Sequence, residues 1–312
     1  MGRHRYAIIG TGAVGGYYGG LLAHAGHEVH FLCHRDADHV RRHGLRVDSP
    51  RGGFVIGPDH VHAYSHAADM PACDVTVVCL KTTQNHLLPQ LLPPVTGTRG
   101  VVLTLQNGLG VETAAAAVVG DDRVLGGLSF VCCRKAGPGH VVHEDYGQVR
   151  LGEHATHGVT ERLASVTADW AGAGIDVEAV EDLVAARWHK LVWNVPFNGL
   201  SVVLDTTTDR LMADASSYSL CEALMREVQA GAAACGKTIS DGFIRKMLDD
   251  TRKMTPYAPS MKQDWDARRP MELDALYAAP LAAAAASGVA LPRLATLHAL
   301  LRHLEAKVGL AT

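Results

Sequence analysis

Six residues near the start, Gly10-Thr11-Gly12-Ala13-Val14-Gly15, constrain this chain more than any other stretch. They follow the apolar run Tyr6-Ala7-Ile8-Ile9 and open an apolar segment over 14–25. Glycines spaced GxGxxG between a strand and a helix predict a dinucleotide site. Gly10 permits the tight turn, Gly12 has no Cβ to keep a pyrophosphate from the backbone, and Gly15 lets the helix pack close to the strand. The helix N-terminus then offers its N–H groups to the phosphates. A glycine turn of this kind can also be purely structural. Here Gly26-His27 ends the helix and Glu28-Val29-His30-Phe31-Leu32 reads as a second strand, which is the context a nucleotide site needs.

Strands continue to alternate with helices through the first half. Residues 74–80, 100–105 and 124–130 are β-branched or apolar runs, and 47–56 reads as a hairpin around Pro50-Arg51-Gly52-Gly53. Gly137-Pro138-Gly139 turns into 141–143 and 148–151, which read as antiparallel strands closing the sheet. A helix over 159–173 leads to a last strand at 175–178. Beyond about 180 only helical periodicity remains, over 182–204, 215–236, 240–254, 268–287 and 292–308. The pattern predicts an α/β fold, a Rossmann-type doubly wound parallel sheet followed by an all-helical C-terminal domain. The expected domains are 1–178 and 179–312.

Composition narrows the partners. A net charge of −3 over 312 residues gives no reason to expect nucleic acid or an anionic membrane surface. No apolar run approaches the roughly 20 residues that span a bilayer. The chain enters a strand at once, which predicts no signal peptide. Seven cysteines without CxxC spacing read as free thiols of a reducing cytoplasm. Eighteen histidines invite a metal reading, but without HExxH or a paired Cys/His set no metal is expected.

Ligands of open α/β sheets bind beyond the carboxyl ends of the strands. Arg35 follows the second strand, where an NAD site usually carries an acid; His30 at that spacing is not acidic. Arg35 can pair with a 2′-phosphate, which favours NADP, or it faces solvent beside Asp36. Lys81 and Asn107 follow the next two strands; each faces the cofactor or substrate, or is respectively a loop lysine and a turn-forming Asn-Gly. In the second half, Lys190, Asn194 and Asn198 fall at i, i+4 and i+8, a helical stripe that drifts only about 40° per step, and Ser201 extends it. Apolar residues surround the stripe, which costs stability unless it is paired or functional. A lysine among apolar groups has its pKa lowered and suits a general acid. Pro196 is expected to kink this helix and free a carbonyl. Ser260 and Glu272 lie between two later helices, with Pro270 suited to a first turn and Glu272 near that N-terminus; helix capping is the plainer reading.

Taken in order, the GxGxxG, Lys81, Gln106-Asn107-Gly108, Lys190-x-x-x-Asn194-x-x-x-Asn198 and Ser260 with Glu272-x-Asp274 resemble the ketopantoate reductase (2-dehydropantoate 2-reductase) family from end to end. The resemblance implies NADPH-dependent reduction of the 2-keto group of ketopantoate to (R)-pantoate, toward pantothenate and coenzyme A, in a cleft between the two domains. It implies Lys190 as proton donor with Glu272 as the second catalytic residue. Gly10 to Gly15, Arg35, Lys81, Asn107, Cys133 and Glu272 then hold the cofactor, and Asn107, Lys190, Asn194, Asn198 and Ser260 hold the substrate. The partner is a small 2-keto acid, the location cytoplasmic, and the apolar helical half suits a homodimer. Two departures fall on the substrate side. Tyr277-Ala278 stands where the family commonly shows Asn-Gly, and Thr208 where a further asparagine is expected. They leave open a reductase of another 2-keto acid on the same fold; a non-catalytic dinucleotide sensor is the reading from a different class.

Overall fold

The structure is a computed structural model and describes residues 4–310. Two compact units form. One comprises the chain up to Gln106 with Val111–Leu183; the other comprises Asn107–Gly110 and the chain from Val184 onward.

In the first unit the apolar runs become strands. In chain order they are β1 (Tyr6–Ile9), α1 (Ala13–His24), β2 (Val29–Leu32), α2 (Ala37–His43), β3 (Leu45–Asp48), β4 (Phe54–Ile56) and β5 (His62–Tyr64). There follow β6 (Val75–Val78), α3 (Leu88–Thr96), β7 (Val101–Thr104), α4 (Glu112–Val119), β8 (Val124–Gly137), β9 (His140–Glu153), α5 (Glu161–Gly172) and β10 (Val177–Val180). The strand order β5-β2-β1-β6-β7-β8 is parallel throughout, with its reversal between β1 and β6. This is the doubly wound arrangement the alternation predicts, with its ligand crevice at the reversal. The sheet then continues: β9 runs antiparallel to β8, and β3 lies parallel to β9 and antiparallel to β4.

The extended sheet wraps α1, which packs against β1, β2, β3, β4, β8 and β9. That enclosure explains the helix's glycines. A Cβ on Gly16 would sit 2.7 Å from Val141, and one on Gly19 would sit 2.7 Å from both Ile8 and Phe31. Both hairpin strands outrun the expected 124–130, 141–143 and 148–151. Register shifts after Phe130, Cys132 and Lys135 break the alternation along them, so periodicity lost the ladder at its first irregularity.

The second unit is helical: α6 (Leu183–Val203), α7 (Thr208–Ala213), α8 (Ala215–Ala234), α9 (Asp241–Lys253), α10 (Ser260–Asp266), a π turn (Asp274–Ala278), α11 (Ala279–Ala286) and α12 (Pro292–Lys307). Its core gathers Trp188, Leu191, Val192, Val195 and Phe197 of α6 with Leu224, Met225 and Val228 of α8 and Leu294, Leu297 and Leu301 of α12. A helix over 268–287 is not what forms. Arg268 takes a left-handed φ of 54°, Arg269 N–H closes onto Asp264 O at 2.8 Å, and Met271 N–H donates to Glu305 at 2.6 Å. These contacts hold the chain out of a helix until Leu273, so Pro270 does not open one. Among the described residues no helix is long and apolar enough to cross a membrane.

Candidate active site

Each glycine of the first turn has a distinct reason to lack a side chain. Gly10 takes φ 97° and a Cβ there would lie 2.9 Å from Leu80 N; on Gly15 it would lie 2.3 Å from Gly10 O. Gly12 is the opposite case, with nothing within 4 Å of where its Cβ would be. Space is thus open beside the residue that caps α1. No side chain caps this N-terminus, and its first turn holds no acid, so the backbone donors there suit an anion. Thr11 Oγ1 donates to Leu32 O at 3.0 Å and fastens the turn to the end of β2. Residues at this turn fit a dinucleotide pyrophosphate, with Gly10, Gly12 and Gly15 setting its shape and Thr11, Ala13 and Val14 completing it.

Arg35 lies exposed in a short 3-10 turn, His34–Asp36, directly after β2. Its acidic neighbour Asp36 is paired with Lys135 of β8. Lys135 was invisible to sequence reasoning because it lies in the part of β8 where the alternation fails. Lys81 caps the 3-10 turn Thr82–Leu87 after β6. It also acts on Cys133: burial pushes that thiol up to about 12, and the Lys81 charge pulls it the other way. Cys133 is buried at a register shift of β8 against β9. Gln106, not singled out from sequence, donates to Leu80 O and Asn85 Oδ1, both at 2.8 Å, and ties together the loops after β6 and β7.

The second unit brings four of its charged and polar residues together. Lys190, in the middle of α6, donates to Asn107 Oδ1 at 2.7 Å. Lys190 keeps partial solvent access along its length, but burial of its amine takes the pKa down to about 7. Arg187, three residues earlier, pushes in the same direction, and Glu272 opposes both. Asn107 is held by its neighbours. Gly108 takes φ 113°, and a Cβ there would lie 2.4 Å from that of Ala275. Leu109 N–H donates to Ala275 O at 3.0 Å. Glu272 is buried and stands just before the helical turn that begins at Leu273.

Further along α6 the polar stripe divides its work. Asn194 is 5% exposed and its Nδ2 has no hydrogen-bond partner. Asn198 Oδ1 accepts from Met261 N–H at 3.0 Å and, weakly, from Ser260 Oγ at 3.5 Å; its Nδ2 donates to Asn194 O at 3.1 Å. Asn198 and Ser260 therefore meet, and Asn198 holds the start of α10. Ser201 is fully buried with an unpartnered Oγ. The two departures have structural work of their own. Tyr277 is fully buried; its hydroxyl donates to Val195 O at 3.0 Å and accepts from Gly199 N–H. Thr208 is also fully buried, accepting from Tyr257 N–H at 3.2 Å while its own N–H donates to Tyr257 O at 3.1 Å. Among the described residues no group of three or more His, Cys, Asp or Glu is placed to hold a metal ion.

A doubly wound sheet with a glycine turn at its reversal, followed by a helical unit with a desolvated lysine, defines the class of Rossmann-type dinucleotide-binding proteins with an appended helical domain. Family models place the chain more closely. Residues 6–156 match the model described as ketopantoate reductase PanE/ApbA, and 182–305 match its C-terminal counterpart. The chain belongs to the ketopantoate reductase family. It is 50% identical to a 2-dehydropantoate 2-reductase of Nostoc sp., over 98% of this chain and 97% of that one. The crystal structure of the 2-dehydropantoate 2-reductase from Geobacter metallireducens superposes with a TM-score of 0.93 at 40% identity, covering 96% of this chain and 99% of the other. A ternary D-mandelate dehydrogenase structure with NADH and anilino(oxo)acetate shares the fold, with a TM-score of 0.86 at 21% identity over 98% and 99% of the two chains.

Proposed function

We propose that this protein is an NADP-dependent oxidoreductase that reduces 2-dehydropantoate to (R)-pantoate, a step toward pantothenate and coenzyme A. One observation carries the reading: the Lys190 amine, brought to about 7, is held on Asn107 Oδ1 at 2.7 Å. A group poised there keeps its proton in an appreciable fraction of molecules at neutral pH and still gives it up readily. Family membership supports the same reaction.

When bound, NADPH supplies the hydride for the keto carbon. Lys190 hydrogen-bonds the keto oxygen, offsets the negative charge that develops there and then protonates it. Asn107 orients the amine, and Glu272 favours its protonated form. The unpartnered Asn194 amide donates to the substrate's polar end, with Asn198 and Ser260 beside it. In the first unit Gly10 to Gly15 take the pyrophosphate, Arg35 the 2′-phosphate, and Lys81 and Cys133 the nicotinamide end; Asn107 and Glu272 of the second unit are the remaining cofactor-binding residues. The NADP-binding domain is 1–178 and the substrate and dimerisation domain 179–312. The protein acts as a homodimer in the cytoplasm.

A second reading, reduction of another 2-keto acid, is left open by the departures at Tyr277 and Thr208, although both side chains are buried and bonded within the helical unit. Oxidation of NADPH at 340 nm with a panel of 2-keto acids, repeated with NADH, decides between them. Preference for ketopantoate with NADPH is the expected outcome. Faster turnover of another keto acid moves the substrate and keeps the lysine chemistry, whereas tight NADPH binding without any turnover overturns the enzyme reading in favour of a sensor.

A further inference from the structure

Arg187 is a buried cation, 2% exposed, that lies one helical turn before another desolvated cation, Lys190. Burying a guanidinium is costly, and a like charge beside a buried amine adds to the cost. The guanidinium also reaches a specific acceptor, since its Nη1 donates to Gly108 O at 3.2 Å. Gly108 adjoins Asn107, whose side chain accepts from Lys190 at 2.7 Å. From the other side, Leu109 N–H is fixed to Ala275 O at 3.0 Å. The turn that presents Asn107 is thus gripped at Gly108 by α6 and at Leu109 by the π turn.

We propose that Arg187 is a positioning residue for Lys190, holding the Asn107-Gly108 turn against α6 so that the Asn107 amide oxygen stays on the amine. The inference rests on the reading of Lys190 as proton donor. Arg187 has a second effect by charge. Arg187 from the same helix disfavours the protonated form of the Lys190 amine, Glu272 from the segment before the π turn favours it, and Asn107 accepts its hydrogen bond. Arg187 and Glu272 therefore set the amine from opposite sides.

The test uses the full chain and two variants. Arg187→Met removes charge and tether at similar length; Arg187→Lys keeps a charge but offers a shorter, single point donor in place of the guanidinium fork. The lysines are reductively methylated with a 13C label, and the Lys190 resonance, identified by its loss in Lys190→Ala, is titrated by NMR without substrate. Kinetics of keto acid reduction and NADPH affinity are measured alongside. In Arg187→Met the titration midpoint moves up by about one unit as a like charge is removed. Its kcat falls by about tenfold or more, with NADPH affinity unchanged. In Arg187→Lys the midpoint stays near that of the parent chain while kcat still falls, which separates the tether from the charge.

Wild-type kcat in folded Arg187→Lys overturns the proposal, as does an unmoved midpoint in Arg187→Met. Should Arg187→Met not fold, the Arg187→Lys result decides alone. Should the parent chain reduce no keto acid, the Lys190 reading fails on that assay; the NMR midpoint still reports whether Arg187 acts on Lys190.

Discussion

Keeping an amine at Lys190 works against the fold. Its pKa of about 7 in the native chain lies below the ordinary 10.5 that it regains on unfolding. Between those values the unfolded chain binds more protons than the folded one, so stability rises with pH across that window. Below it both states are protonated, and the penalty is fully present. Lys190→Met should therefore stabilise the protein on the order of 1–3 kcal/mol at mildly acid pH, discounting for partial solvent access, with the gain shrinking as pH rises. Denaturant melts below and above neutrality measure this. The same variant should lose about a hundredfold or more in kcat, and the parent's rate of reduction should decline as pH rises through about 7 and the donor loses its proton. Unchanged stability at acid pH would show that the amine is not desolvated. The stripe of Lys190, Asn194 and Asn198 was legible from helical spacing alone, because a polar row among apolar neighbours has no cheap structural explanation. Arg187 was not, since one arginine near the start of a helix looks like any solvated charge until its burial is known.

At the scale of elements, α6 and the π turn act on each other. Val195 O and Gly199 N–H are groups that an undisturbed α-helix pairs with each other. Here the Tyr277 hydroxyl engages both, next to Pro196, which has no N–H to give. Tyr277→Phe should cost about 1–2 kcal/mol, the usual loss when a buried hydrogen bond is deleted, read as a lower urea midpoint with an unchanged slope. No loss would mean that the Tyr277 hydroxyl adds nothing net to the fold. Elements were legible where an apolar run was bounded by turn residues, as in β1, α1 and β6, or where helical spacing ran unbroken, as in α6. They were obscured where tertiary contacts decide. The helix expected from 268 waits until Leu273 because Glu305, far along the chain, takes the Met271 N–H. The short α7 likewise depends on the reciprocal bonds of Thr208 with Tyr257.

For the whole molecule, the helical unit leaves Leu204, Leu220 and Leu300 exposed, at 50%, 38% and 46%. Single exposed aliphatics are ordinary on a protein surface, so these three serve only as probes of the proposed homodimer. Sedimentation equilibrium should give twice the chain mass, with Leu220→Glu or Leu300→Glu shifting it toward the monomer; a monomer in the unmutated protein would remove the homodimer from the proposal. The doubly wound sheet was legible because strand and helix alternate over the entire first half. The division of the chain was less so, because it is not a single cut: Asn107–Gly110 belongs with the helices although unit-one residues flank it on both sides. Recombination between relatives inherits that arrangement. A chimera joined once near Leu183 takes its lysine from one parent and that lysine's asparagine from the other. A fragment beginning at Val184 leaves the asparagine behind. Exchanging the helical unit as a working part requires two further crossovers, on either side of four residues.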